Sequence, residues 1–178
     1  MTLVAGLLLA WPASAADTYK IDAAKSKVTF TINNKPPGAK KQSPVPGSFK
    51  DFSGTIVFDS KNPSKSSVEM EVKTTSVDTK NEKRDKHLRN TDFFKVKEYP
   101  KMSFKSTKVK KAKKDTYEVT GDFTLLGKSK SITVTFNATD KNAGKASFQI
   151  KRSEYGMKFR LPDTADEIDV TLEIVGKK

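Results

Sequence analysis

The stretch TYEVTGDFTLLGKSKSITVTFNA, residues 116–138, decides the fold. Tyr117, Val119, Gly121, Phe123 and Leu125 fall at every second position, against Glu118, Thr120, Asp122 and Thr124. After Leu126-Gly127-Lys128 the code resumes, with Ile132, Val134, Phe136 and Ala138 opposed to Thr133, Thr135 and Asn137. Successive side chains of a strand point to opposite faces, so a period of two marks a strand with one apolar side. A short link containing glycine makes two such strands a hairpin.

The same code runs outward in both directions. Upstream it appears as Val28, Phe30 and Ile32, as Phe52, Gly54, Ile56 and Phe58, as Val68, Met70 and Val72, and as Met102 and Phe104. Downstream it appears as Ala146, Phe148 and Ile150, and as Ile168, Val170, Leu172 and Ile174. Asn62-Pro63, Lys113-Lys114-Asp115 and Asn142-Ala143-Gly144 supply turn chemistry between the runs. Short links imply antiparallel neighbours. The chain therefore reads as all-β, with about eight one-sided strands. Such strands close into an up-and-down barrel or stack as a sandwich, and period alone does not separate the two. The repetition of one code over so long a span favours the eight-stranded antiparallel barrel.

Two segments break the period. Residues 78–90 are polar without alternation, and Thr79-x-x-Glu82 matches a capping box. Asp85 and Arg89 lie four apart, on one helical face. The pattern predicts a short helix over residues 80–90, followed by the apolar pair Phe93-Phe94. Residues 33–47 hold four prolines and two glycines, which predicts a long loop rather than a strand.

Composition narrows the function. A chain of 178 residues makes one ordinary domain. A charged fraction of 31% and a mean hydropathy of −0.61 give a strongly solvated surface. The chain has no cysteine and one histidine, which excludes disulfides, thiolate centres and histidine-rich metal sites. Residues 1–16, MTLVAGLLLAWPASAA, are an uncharged apolar run ending in small residues, the pattern of a secretory signal peptide. The expected mature unit is a single domain over residues 17–178, periplasmic or secreted. The net charge of +13 comes from 34 basic residues, of which only Arg84, Arg89, Arg152 and Arg160 are arginine. That lysine bias, with export, argues against nucleic acid and leaves anionic lipid surfaces and acidic polymers. The run Lys108, Lys110, Lys111, Lys113 and Lys114 reads as a solvated hairpin tip.

The candidate binding residues follow from the apolar faces. Phe30, Phe52, Phe58, Phe104, Phe123, Phe136 and Phe148 all fall on them. Met70, Ile150, Val170 and Leu172 share those faces, and Phe93 and Phe94 stand beside the helix. An eight-stranded barrel is just wide enough to be filled by side chains or to hold one small ligand. On periodicity the rings either fill a dry core or line a tunnel for a hydrocarbon chain. Arg84, Asp85, His87 and Arg152 are the candidates for a polar headgroup; alternatively the charged residues tie the helix to the barrel. No nucleophile elbow, phosphate loop or zinc-protease motif occurs, and no catalytic residue, metal or cofactor is expected.

Thr74-Thr75-Ser76-Val77-Asp78-Thr79, Arg84-Asp85-Lys86-His87-Leu88-Arg89, Asp92-Phe93-Phe94 and Tyr99-Pro100 together resemble the YceI-like family of exported, lipocalin-like proteins. Gly47-Ser48-Phe49-Lys50-Asp51-Phe52-Ser53-Gly54, Phe104-Lys105-Ser106, Gly121-Asp122-Phe123-Thr124-Leu125-Leu126-Gly127 and Arg152-Ser153-Glu154-Tyr155-Gly156-Met157 extend the similarity over nearly the whole mature chain. The resemblance implies an eight-stranded barrel with a helix nearby and an elongated apolar cavity for polyisoprenoids and related amphiphiles. The chain departs from the family at Lys25-Ser26 and at Asn33 or Asn34, where histidines are common, and in the proline-rich loop. The expected role is binding, with transport or storage, of a long-chain isoprenoid or fatty amphiphile such as a polyprenyl phosphate or quinone. The expected partners are that lipid and a membrane surface, and the expected state is a monomer or a homodimer. The alternative is a basic envelope protein that binds anionic polymers around a filled barrel.

Overall fold

The computed structural model describes residues 16–178; the leader assigned to residues 1–16 lies, Ala16 apart, outside them. The described chain forms β1 (Asp17–Ile21), β2 (Lys27–Asn34), β3 (Ser43–Phe49), β4 (Phe52–Phe58), β5 (Ser67–Lys73) and β6 (Val77–Asp78). One short helix, α1 (Glu82–Leu88), follows. The chain then continues as β7 (Lys101–Lys113), β8 (Thr116–Leu125), β9 (Lys128–Asp140), β10 (Ala143–Lys151) and β11 (Thr164–Lys177).

The eleven segments make eight long strands, because three of those strands are bent. β1 and β2 both pair with β11, through Ile21–Gly176 and Lys27–Glu173 respectively. At the break between them the Ser26 hydroxyl accepts from the Val175 amide at 2.9 Å, so β11 keeps its bond where the ladder is interrupted. β3 passes into β4 after two residues, and β6 prolongs β5 beyond the single turn Thr74–Ser76. Every neighbouring pair is antiparallel, and β11 returns to β1 to close the ring. The result is the up-and-down barrel favoured by the repeated one-sided code. Closure leaves almost no open edge.

Four local readings need correction. The proline-rich stretch is about half strand: Thr31 pairs with Pro46 and Asn33 with Pro44, and the loop is confined to residues 35–42. Over Ser43–Gly47, β3 has β2 on one side and, among the described residues, no strand on the other. Pro44 and Pro46 are two apart, so both can turn their missing N–H toward that open side. The lysine run is not a tip either; Lys108–Lys113 continue β7, and the turn is Lys114-Asp115. The last hairpin turns at Lys141-Asn142, with Gly144 already in β10. The helix begins two residues late. Lys80 has φ +60°, which separates Thr79 from the helix, and Asn81 caps it by accepting from the Arg84 amide at 2.9 Å.

The packed core is concentrated at the helix end. There Val77, Phe49, Phe93, Phe94, Tyr155 and Met157 are buried together. A smaller cluster of Val109, Tyr117 and Val119 packs toward the far end.

Candidate ligand-binding site

Between the two clusters the barrel encloses a cavity of about 1140 Å³. That is somewhat above the range of ordinary small-molecule sites, which span roughly 300–1,000 Å³. The inward rings of Phe30, Phe123, Phe136 and Phe148 are only partly buried, as are Ile56, Ile168 and Leu172. Their residual exposure faces the lumen they line. The dry-core reading is therefore overturned.

Glycines explain how a barrel rich in phenylalanine stays open. Phe30 stands opposite Gly47 across β2 and β3, and a Cβ at Gly47 would collide with the Phe30 ring. The Phe136 ring covers Gly144 in the same way. Each ring lies back over a position without a side chain instead of reaching across the lumen. The space left is walled mainly by hydrocarbon, and the charged side chains among the described lining residues are those of its two ends.

The two ends differ in charge. At the helix end the wall includes Lys83, Arg84, His87, Arg152 and Arg160, with Asn34, Thr79, Asn81 and Thr164. Among the described residues, no acidic side chain lines that end. At the far end Lys111 and Lys141 are offset by Asp115 and Asp140. A polar or anionic head is thus favoured beside α1 on electrostatic grounds.

Twelve of the thirteen apolar candidates line the cavity: Phe30, Phe58, Met70, Phe93, Phe94, Phe104, Phe123, Phe136, Phe148, Ile150, Val170 and Leu172. Phe52 does not. The bend at Lys50-Asp51 sets it at the barrel's end, buried against a small outer hollow shared with Val28 and Phe49.

The polar candidates divide by what they touch. Arg84 donates from Nε to the Thr79 hydroxyl at 2.7 Å and from Nη2 to the Thr79 carbonyl at 2.8 Å, while still bordering the cavity. His87 pairs with Asp92 at 2.9 Å and stacks edge-on with Phe93 and Phe159, its ring at the cavity wall. Asp85 is not on the wall. It is buried, and its Oδ1 accepts from the Thr79 amide at 2.9 Å and the Thr79 hydroxyl at 2.6 Å. Arg152 is 0% exposed and is a strut more than a ligand contact. Its guanidinium donates to the carbonyls of Ala165, Met157 and Thr164 at 2.8–3.0 Å. Burial pushes its pKa down, and Asp166 nearby opposes that shift. Arg89 ties α1 to the barrel by donating to the carbonyls of Thr75 and Val77, not by an ion pair with Asp85.

A family model described as the YceI-like domain matches residues 19–176. The chain belongs to the YceI-like family. Protein YceI of Escherichia coli O157:H7 is 37% identical, with 99% of this chain and 94% of that protein covered. Protein YceI of Salmonella newport is 34% identical, covering 97% and 93%. Among solved structures, BcnA of Burkholderia cenocepacia superposes with a TM-score of 0.78 at 27% identity, covering 88% of this chain and 99% of that one. A polyisoprenoid binding domain from Saccharophagus degradans has a TM-score of 0.67 over 89% and 97% of the two chains. At 14% identity it establishes a shared fold only.

This YceI-like barrel also uses wall residues that the alternation did not single out as ligand contacts. Tyr19, Phe49 and Met157 complete the apolar wall, and Lys83, Asn81 and Arg160 complete the cationic end. Tyr19 and Phe49 lie in strands broken by bends, so no run of alternation contains them. Arg160 sits in a loop with φ +58°, held by its bond to the Lys35 carbonyl at 3.0 Å. Only the neighbouring lysine and aromatic residues of the sequence hint at such a position.

Proposed function

We propose that the chain binds one long-chain amphiphile, an isoprenoid or fatty chain, and carries or stores it in the cell envelope. The hydrocarbon lies along the barrel, and the polar head rests beside α1 near Lys83, Arg84, His87 and Arg160. The observation that carries this reading is the open, apolar lumen of about 1140 Å³ with one cationic end. Burial gives about 0.8 kcal/mol per methylene. A chain of about ten methylenes therefore retains several kcal/mol after its ordering cost. Membership of the YceI-like family supports the reading, as does the description of a protein of the same fold as a polyisoprenoid binding domain. The uncharged leader agrees with export. The chain acts as a binding protein and not as an enzyme.

Purified protein extracted with organic solvent and analysed by mass spectrometry is expected to release about one lipid per chain. Phe148→Asp places a charge on the lumen wall and is expected to lower uptake of a fluorescent polyene fatty acid at least tenfold, since an unpaired buried charge costs several kcal/mol. Absence of any bound lipid, together with failure of the delipidated wild-type protein to take up the fatty acid, would overturn the proposal.

A further inference from the structure

The two exposed large hydrophobic side chains among the described residues are Phe159 at 38% and Leu161 at 37%. Both lie on one loop, between Met157 and Thr164, which line the helix end of the cavity. Phe159 stacks on His87 and Phe93 at 5.4 and 5.3 Å, so its ring is braced against the rim and α1. This loop is joined to the loop of residues 35–42. The Lys35 amide donates to the Asp163 carbonyl at 2.8 Å, and Gln42 Nε2 donates to the Pro162 carbonyl at 2.9 Å. Together with α1 the two loops form one rim.

The charge of that rim is one-sided. Lys40, Lys41, Lys83, Lys86 and Lys158 are all exposed on it. The acidic residues are Glu82, Asp163 and Asp92, and Asp92 is engaged by His87. Two apolar tips within a ring of lysines are the combination that seats a protein on an anionic bilayer. Apolar side chains enter the acyl boundary, and each lysine near the surface adds electrostatic attraction to the anionic headgroups. A protein partner has no comparable argument here, because the apolar area is small and the cations surround it.

We infer that the rim formed by α1 and the loops of residues 35–42 and 156–163 docks on an anionic lipid bilayer, presenting the helix end of the cavity to the membrane. The inference rests on the proposed lipid-binding function and adds where the ligand enters. The docked rim places Lys83, Arg84 and Arg160 at headgroup level, so a lipid can move between bilayer and barrel without exposing its chain to water.

Flotation with vesicles tests it, using phosphatidylcholine alone and phosphatidylcholine with about one-third phosphatidylglycerol, at about 0.05 M and 0.5 M salt. The wild-type chain is expected to float with the anionic vesicles at low salt, and much less with the neutral ones or at high salt. Lys40→Gln/Lys41→Gln and Phe159→Ser/Leu161→Ser are each expected to weaken partition about tenfold or more. Both double variants are expected to keep wild-type uptake of the fluorescent fatty acid supplied in solution, which separates docking from cavity binding. The lysine pair lies on an exposed loop, so it remains informative if the apolar pair misfolds. No flotation of the wild type overturns the inference. So does flotation untouched by the lysine substitutions, which would place contact elsewhere, for example on Lys108–Lys114. A dimer in solution that Phe159→Ser/Leu161→Ser dissociates would also overturn it, since the rim would then be covered by a second copy.

Discussion

Arg152 lies wholly inside the protein, and three carbonyls from the chain that runs into β11 depend on it. One planar guanidinium serves all three oxygens at once. Arg152→Met keeps most of the packing but leaves the carbonyls unpaired. A cost of about 3–5 kcal/mol is expected, read as a lower midpoint of urea unfolding with an unchanged slope. Arg152→Lys keeps the charge and loses the fork, so it is expected to recover less than half of that loss. A variant as stable as the wild type would show that the carbonyls find water instead. In the sequence, Arg152 follows an alternating strand and reads equally well as a headgroup contact. What separates the roles is the loop of residues 156–163, which folds back over it; no local pattern encodes that return.

At the scale of elements, α1 is too short to hold itself. Seven residues form scarcely two turns, and isolated helices of fewer than about twelve residues are marginal in water. Its stability comes from side chains. Asn81 caps it, Asp85 and Arg84 bind Thr79, and Arg89 reaches back to Thr75 and Val77. Asp85→Ala removes two bonds to a buried carboxylate and leaves the Thr79 amide and hydroxyl without their acceptor. A loss of about 2–4 kcal/mol is expected, concentrated locally. By hydrogen exchange, residues 82–96 should open well before β7 and β8, which are joined to each other along most of their length. Equal loss of protection in helix and barrel would mean that α1 is part of the cooperative core. The existence of this helix was legible in the absence of alternation. Its first residue was not, because the capping-box spacing at Thr79 is overridden by the positive φ of Lys80. The strand nature of residues 43–47 was hidden for a related reason: proline rules exclude central strands, and here the strand is open on one side.

Over the whole molecule, the count and direction of the strands could be read from the sequence, because each strand carries its own alternation. Closure could not, since it rests on Ile21 meeting Gly176 at the other end of the chain. Nor could the open lumen, which depends on the Phe30 ring lying over Gly47 across a strand pair. The same long-range clamps set the response to acid. Hydrogen bonding to Lys50 and Lys80 holds the Asp78 carboxyl well below the ordinary carboxylate range. Lys105, Lys145 and Lys178 lower Glu69, Glu173 and Asp17 in the same way. Burial pushes Asp166 up, but bonds from the Ser153 hydroxyl and amide outweigh it, and the net shift is downward. Groups with depressed values bind fewer protons folded than unfolded, so their stabilisation is complete above the ordinary range near 4 and is lost as pH falls through the depressed values. At the other limit, Tyr19, Tyr99 and Tyr155 are raised by burial or by acidic neighbours, and Lys105 and Lys178 by their partners. That stabilisation is present below about pH 10 and fades above it. Urea midpoints are therefore expected to be level from about pH 5 to 9, to fall below about pH 4, and to fall again in strong alkali. Protonating the 21 acidic residues also carries the net charge from +13 toward the full complement of 34 basic residues. The resulting repulsion steepens the acid limb, and added salt should recover part of it by screening. An acid limb indifferent to salt would assign the loss to the clamps alone, and a midpoint still level at pH 3 would show that the clamped carboxylates contribute nothing to the closed barrel.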